Sequence, residues 1–328
     1  MFIQIKSKGE YFMKKIYYKK WTIPLAILLL ACGMIGYTAW DNNRVTVDKV
    51  TLNHSDLPDA FDGYRILQIT DLHEKEFGNE QSKLIRLIEK QDYDIVLFTG
   101  DYISDESENL KPLEDLLKGM PKEKEMYFIL GNSDEDNSVA TLTPGNRFYD
   151  LFQKYGVTPL YPGKKITKDN ESIWLKTNPY VSVVEIWRET PSELENDKNE
   201  FDTQYAAEND PFTIEVSHRP TEIDYEDENI HDYRTRILGE TDDEWIDWDL
   251  SINGHTHGGQ FYLPIIGPIY APNYGLFPGS VNVRGVHTEN GHTQYVSPGL
   301  GASGPTFARF RVFNTPSIGL ITLQKTNK

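Results

Sequence analysis

Five short apolar runs in this chain each end on side chains that can bind a metal ion. The endings are Asp71-Leu72-His73, Gly100-Asp101, Gly131-Asn132-Ser133-Asp134, Ser217-His218 and Gly254-His255-Thr256-His257. The runs before them, at 65–70, 94–99, 126–130, 212–216 and 249–253, read as buried strands. Between the first two, Asn79 is placed to cap a helix whose inner face carries Leu84, Ile85, Leu87 and Ile88. A second helix is expected over 110–117. The first three endings recur about every 30 residues, the length of one βαβ unit. In open α/β sheets ligands collect at the carboxyl ends of strands, so this periodicity gathers Asp71, His73, Asp101 and Asn132 at one sheet edge. Further strands deliver His218, His255 and His257. The two histidines of His-Thr-His are two apart and would face one side of an extended strand. Closing strands are expected at 295–296 and 318–323.

Together the endings supply two carboxylates, one carboxamide and four imidazoles, enough for two metal ions sharing a bridging carboxylate. Any one of them alone would mean little. The ordered set points to metal-assisted phosphoester chemistry. Cys32 is the single cysteine, which excludes an intramolecular disulfide and a thiolate cluster. Oxygen and imidazole ligands suit Mn, Fe or Zn. His54, His231, His287 and His292 belong to no such ending and are read as surface or packing residues.

Charge is distributed unevenly. Residues 1–40 hold six lysines and one acid, a net +5, so the other 288 residues of this −17 chain carry −22. An acidic body repels nucleic-acid backbones and argues against a general nuclease, although such a surface often serves solubility alone. Thr22 to Ala39 contains no charged residue, and Trp21 and Trp40 flank it at headgroup positions. Lys14, Lys15, Lys19 and Lys20 precede the run, which keeps the N-terminus cytoplasmic and the body outside. The organisation expected is a cytoplasmic tail at 1–20, a transmembrane anchor or signal at 21–40 and a catalytic domain at 41–328. Leu29-Leu30-Ala31-Cys32 also resembles a lipoprotein box, and simple secretion is a third reading. Against cleavage, 33–40 stays apolar. Residues 185–249 hold 22 acids against five Arg/Lys, read as a solvated insertion or, alternatively, a lid beside the site.

The order D-x-H, G-D, G-N-x-D, lone His and G-H-x-H resembles the calcineurin-like metallophosphoesterase superfamily. Gly254-His255-Thr256-His257-Gly258-Gly259-Gln260, Leu263 to Gly267, Tyr270-Ala271-Pro272 and Gly299 to Gly304 are similar to its membrane-anchored bacterial YkuE-like branch. The resemblance covers about residues 45–325. It implies an α/β fold, a four-layer αββα sandwich of two mixed β-sheets, here preceded by a transmembrane helix. It also implies that one metal is held by Asp71, His73, Asp101 and His257, and the other by Asp101, Asn132, His218 and His255. Asp101 would bridge ions about 3.5 to 4 Å apart, and a bridging hydroxide would attack phosphorus. Asp101, Asn132 and Asp134 are the expected catalytic residues. Arg311 is either a phosphate contact or, more in keeping with its setting, part of a structural ion pair.

One position departs from that pattern. Ser133 stands where most of the superfamily has a histidine thought to assist the leaving group. A serine hydroxyl is no proton donor near neutral pH, so leaving groups that depart as stable anions are favoured. The expected protein is a single-pass phosphohydrolase of the cell membrane, its catalytic domain extracytoplasmic. It would act on a phosphorylated small molecule or lipid, with no nucleic-acid partner. The apolar stretch at 261–277 is either an acyl-chain shelf or ordinary hairpin packing. The alternative function is a catalytically weak metal-binding protein that recognises a phosphorylated ligand.

Overall fold

Alternation within the strands decides the layering. In the strand Ile95–Thr99, Ile95 and Leu97 join one apolar cluster while Val96 and Phe98 join another, so both faces of the sheet are covered. The computed structural model describes residues 8–104, 107–134, 142–177, 192–220, 248–272, 274–279, 282–289, 292–305 and 308–327. Most of the acidic stretch at 185–249, His231 included, lies outside them.

In chain order the elements are α1 (Lys8–Asp41), β1 (Thr46–His54), β2 (Arg65–Ile69), α2 (Ser82–Ile88), β3 (Ile95–Thr99), α3 (Lys111–Lys118) and β4 (Glu125–Ile129). Then come α4 (Arg147–Lys154), β5 (Thr158–Pro159), β6 (Gly163–Lys168), β7 (Glu171–Thr177), α5 (Ser192–Ala206), β8 (Thr213–Val216) and β9 (Leu250–Asn253). The last are β10 (Phe261–Leu263), β11 (Gly267–Ala271), β12 (Gly275–Leu276), β13 (Gly285–Glu289), β14 (His292–Val296) and β15 (Ser317–Lys325).

Two six-stranded mixed sheets result, ordered β1-β15-β2-β3-β4-β5 and β13-β14-β9-β8-β7-β6, with a small antiparallel sheet β10-β11-β12 beside them. Ile66, Leu97, Ile129, Ile173, Ile214 and Ile252 help fill the space between the large sheets. The outer face of the first sheet is packed by α2, α3 and α4, where Phe152 stacks on Phe128 at 4.1 Å. On the second sheet Trp174 meets Phe201 and Tyr205 of α5 edge-on, each at 5.2 Å. These are the four layers expected of the αββα sandwich.

α1 contains the span Trp21–Asp41, 21 residues long and apolar enough to cross a membrane, exposed over nearly all its length up to Trp40. Its C-terminal end is docked firmly. Asp41 is fully buried and accepts hydrogen bonds from Arg44 Nε (2.6 Å) and Thr315 Oγ1 (2.7 Å). The Asn42 amide donates to Arg311 O (2.7 Å) and accepts from Arg311 N (2.8 Å), pairing like a short piece of sheet.

Two local expectations are corrected. Asn79 caps nothing; a 3-10 turn at Asn79–Gln81 intervenes and α2 begins after Gln81, in the left-handed region. β9 stops at Asn253, so His255 and His257 occupy a turn rather than a strand, with φ of 72° and 51°.

Candidate metal centre

β2, β3 and β4 run parallel, and the chain leaves each at the same edge. Asp71 and His73 follow β2, Asp101 follows β3, and Asn132 follows β4. From the second sheet, β8 delivers His218, and the turn after β9 delivers His255 and His257. Backbone bonds continue past the strand ends: Asp71 N donates to Gly100 O (2.9 Å), His73 N to Asp101 O (3.1 Å) and Gly254 N to His218 O (2.9 Å). The two sheets are tied at this edge by buried Gln68, whose amide donates to Thr99 Oγ1 (2.8 Å) and Asn253 O (2.9 Å).

Tight turns bring the ligands inward. Asp71, His73, Asp101, His255 and His257 all lie at positive φ, between 41° and 72°. Such backbone is costly for residues other than glycine and is retained where surrounding structure enforces it. Gly131 leaves room for the centre, since a Cβ there would come 2.2 Å from Asp101 Oδ1.

The side chains converge in two buried groups. Asp71, His73, Asp101 and His257 form one and Asp101, His218 and His255 the other, with ligand-type atoms in each group within 4.8 Å of one another. Asp101 belongs to both. Its Oδ2 is 3.3 Å from Nε2 of His73 and 3.3 Å from Nε2 of His218. His218 Nδ1–H donates to Thr99 O (2.8 Å), which turns Nε2 inward, 3.3 Å from His255 Nδ1. His73 Nδ1, Asn132 Oδ1 and His257 Nδ1 are buried without a hydrogen-bond partner. Buried imidazole nitrogens and a carboxamide oxygen left without partners beside a carboxylate suit a divalent cation. The residues present therefore fit metal ions.

The electrostatics have the same sense. Burial opposes ionisation of Asp101, but His218 and His73 outweigh it and hold the carboxyl well below its usual range. Burial likewise disfavours a charged His218, yet Asp101 raises it to about 9. Burial holds His255 and His257 well below the ordinary imidazole value, with His218 and His73 respectively adding repulsion. Burial pushes Asp71 upward although His218 pulls it down. The four histidines are thus divided: against burial, Asp101 raises His73 and His218, while burial lowers His255 and His257.

The flanking residues have distinct placements. Ser133 is buried, and both its N–H (2.8 Å) and its hydroxyl (3.3 Å) donate to Asp101. Asp134 accepts from the N–H groups of Tyr102 (2.7 Å), Ile103 (3.2 Å) and Gly131 (2.9 Å), stapling two site loops together. Burial and the Asp101 charge push it up to about 7. Arg311 is buried and donates to Gly301 O and Pro298 O, both at 2.6 Å; its partners are backbone carbonyls, and no ion pair of Arg311 occurs among the described residues. It thereby fixes the Gly299–Gly301 turn that wraps Asp71. His54 lies 3.7 Å from Asp249, while His287 and His292 bond to the carbonyls of Arg284 and Trp248.

Other residues at the site are not apparent from spacing. Gln260, fully buried, ties down the 303–308 loop through Ser303 and Ala308. Asn314 donates to His257 O at 2.6 Å. Arg219 follows His218, has a buried Nε without a partner and lies close enough for its charge to act on His255. Tyr274 meets the His255 ring edge-on at 6.2 Å. Of these four, Gln260 closes the Gly254–Gln260 motif and Arg219 adjoins a ligand, whereas Tyr274 and Asn314 carry no signal of their own in the sequence.

Two sheets that meet at one edge over a buried Asp/His cluster are the architecture of a metallophosphoesterase. A family model for calcineurin-like phosphoesterases matches residues 64–259, and the chain belongs to that family. It is similar to the uncharacterized metallophosphoesterase YkuE of Bacillus subtilis (strain 168), 27% identical over 308 residues covering 91% of this chain and 93% of the relative. YkoQ from the same organism is 25% identical over 303 residues, 90% of this chain and 97% of the relative. Among solved structures, the NAD nucleotidase of Haemophilus influenzae superposes over 71% of this chain and 44% of that one, at a TM-score of 0.36 and 17% identity, a likeness too slight to build on. The protein is a metal-dependent phosphoester hydrolase.

Proposed function

We propose that this chain is a membrane-anchored hydrolase that uses two divalent ions to cleave a phosphoester or pyrophosphate bond of a small-molecule or lipid-linked substrate. The observation that carries the reading is the pair of buried ligand groups with Asp101 common to both. Asp71, His73, Asp101 and His257 would hold one ion; Asp101, Asn132, His218 and His255 would hold the other. When bound, such ions supply Lewis acidity to phosphoryl oxygens and lower the pKa of a coordinated water toward neutrality.

The remaining roles fall to the protein's own side chains. Ser133 fixes both Asp101 oxygens, Thr99 O orients His218, and Asp134 holds the Asp101 and Asn132 loops together as a positioning residue. Arg219 supplies positive charge beside His255, where an anionic substrate would arrive. No imidazole follows Asn132, and the Ser133 hydroxyl is engaged with Asp101. The leaving group therefore departs without general-acid help, which favours phosphate or phenolate over alkoxide. Anchoring is supported by the exposed 21-residue apolar segment of α1 and by the lysines that precede it.

The test is metal analysis of the purified full chain combined with a phosphoester panel. Two equivalents of divalent metal are expected, with pyrophosphates and aryl phosphodiesters hydrolysed much faster than alkyl monoesters. Asp101→Ala should lose both metal and activity. Alkyl esters turned over as fast as pyrophosphates would refute the leaving-group assignment.

A further inference from the structure

Residues 261–283 contain no Asp, Glu, Lys or Arg, in a chain that is 25% charged. Within this stretch β10, β11 and β12 form the small sheet, and it presents exposed apolar side chains. Ile265 is 107% exposed, Ile266 and Leu276 are each 70%, and Phe277 is 68%. Ile265 and Phe277 also sit at φ of 76° and 55°, so the turns that present them are strained as well as bare to water. Apolar patches of this kind on a folded protein mark interaction surfaces.

The position of the sheet identifies what covers it. Tyr262 N donates to Val312 O (2.9 Å), and Phe261 packs on half-exposed Phe310 at 5.1 Å. One residue beyond Val312, Phe313 packs on Tyr37 of α1 at 5.2 Å, and Arg311 is the residue paired with Asn42. The short segment 310–313 thus has β10 on one side and the end of α1 on the other. At the turn between β11 and β12 the sheet reaches the metal centre through Tyr274 and His255. Within a body of net −22, this uncharged sheet is the part that can approach an anionic lipid surface without repulsion.

We infer that the β10-β11-β12 sheet is a second membrane contact, with Ile265, Ile266, Leu276 and Phe277 seated at the headgroup–acyl boundary of the bilayer that α1 crosses. The metal centre then opens beside the lipid, and a lipid-linked phosphoester reaches it laterally. This inference rests on the anchored reading of α1.

The test reconstitutes the full-length chain in phosphatidylcholine–phosphatidylglycerol vesicles with an environment-sensitive fluorophore on one cysteine at a time. Ile265→Cys and Phe277→Cys are made in a Cys32→Ser background. Asp92→Cys, at a side chain 86% exposed, is the water-facing control, and native Cys32 reports on α1 itself. Labels at 265 and 277 should shift to the blue and lose emission to doxyl-labelled lipid, while the label at 92 loses emission only to aqueous iodide. If 265 and 277 behave like 92 while Cys32 is quenched by lipid, the sheet contact is wrong and the anchor stands. A Cys32 label accessible to iodide removes the anchor and the inference built on it. Blue-shifted labels at 265 and 277 that ignore doxyl lipid and depend on protein density would mean a second copy covers the sheet, which also overturns it.

Discussion

His218 carries opposite demands in the metal-free and metal-loaded protein. Its imidazole is raised to about 9 by buried Asp101, so the metal-free protein keeps it charged at neutral pH, whereas a metal ligand must be neutral. A histidine raised in the folded state stabilises fully below its unfolded value of about 6.5 and loses that contribution as pH climbs through the folded value. Chelated protein should therefore become less stable between about pH 6.5 and 9 while metal affinity rises across the same window. Calorimetry in buffers of differing ionisation enthalpy should detect proton release on metal binding, and a proton count of zero at pH 7 would contradict it. Ser133 supplies a second residue-scale expectation. Ser133→His should raise turnover of alkyl phosphates by about 10²-fold, the lower end of what a general acid contributes. Rates on pyrophosphates should stay level or fall, because the hydroxyl bond to Asp101 is lost.

At the scale of elements, the turns at the strand ends carry the chemistry and the strands behind them carry the stability. Gly131→Ala would drive a methyl group against Asp101, so metal content should fall sharply while the thermal transition moves little; an unchanged metal content would show that the loop gives way. Phe152→Ala belongs to the other category. Phe152 is fully buried, stacked on Phe128 and edge-on to Phe98 and Tyr102, so its removal should cost about 3–5 kcal/mol in denaturant unfolding. Legibility follows the same division. β2, β3, β4, β8 and β9 were plain in the sequence because each is a short run, buried except at the first residue of β2 and β4, and followed by a polar ligand. α4, β6 and β7 were not, since half-exposed elements such as Gly163–Lys168 mix lysine and threonine with a single buried isoleucine. The left-handed turns at His255 and His257 were also hidden, because two residues two apart suit a strand equally well. Arg311 misled in another way: its partners are carbonyl oxygens, which no side-chain pattern records.

For the molecule as a whole, the six clustered Asp and His side chains come from both large sheets, so the centre exists only where the sheets are joined. The first of those sheets is itself held together by β15. It pairs in parallel with β1 over nine positions, from Thr46–Ser317 to His54–Lys325, and antiparallel with β2 on its other side. Deleting 317–325 should leave no cooperative unfolding transition and no metal retention in the chelator-competition assay. A soluble, metal-loaded truncation would show β15 to be dispensable. Ile318, Leu320, Ile321 and Leu323 enter both apolar clusters at once, two to each.

The wedging of β15 between β1 and β2 has a temporal side. β1 is made early, directly behind α1, yet its neighbour is synthesised about 270 residues later. While a ribosome is still at work, that first strand has an open edge and an uncovered greasy flank, and nothing nearby in the chain can satisfy either. The protein must therefore wait, half-built, for its tail to slot home, and whatever shields the nascent chain has its longest task at 46–54.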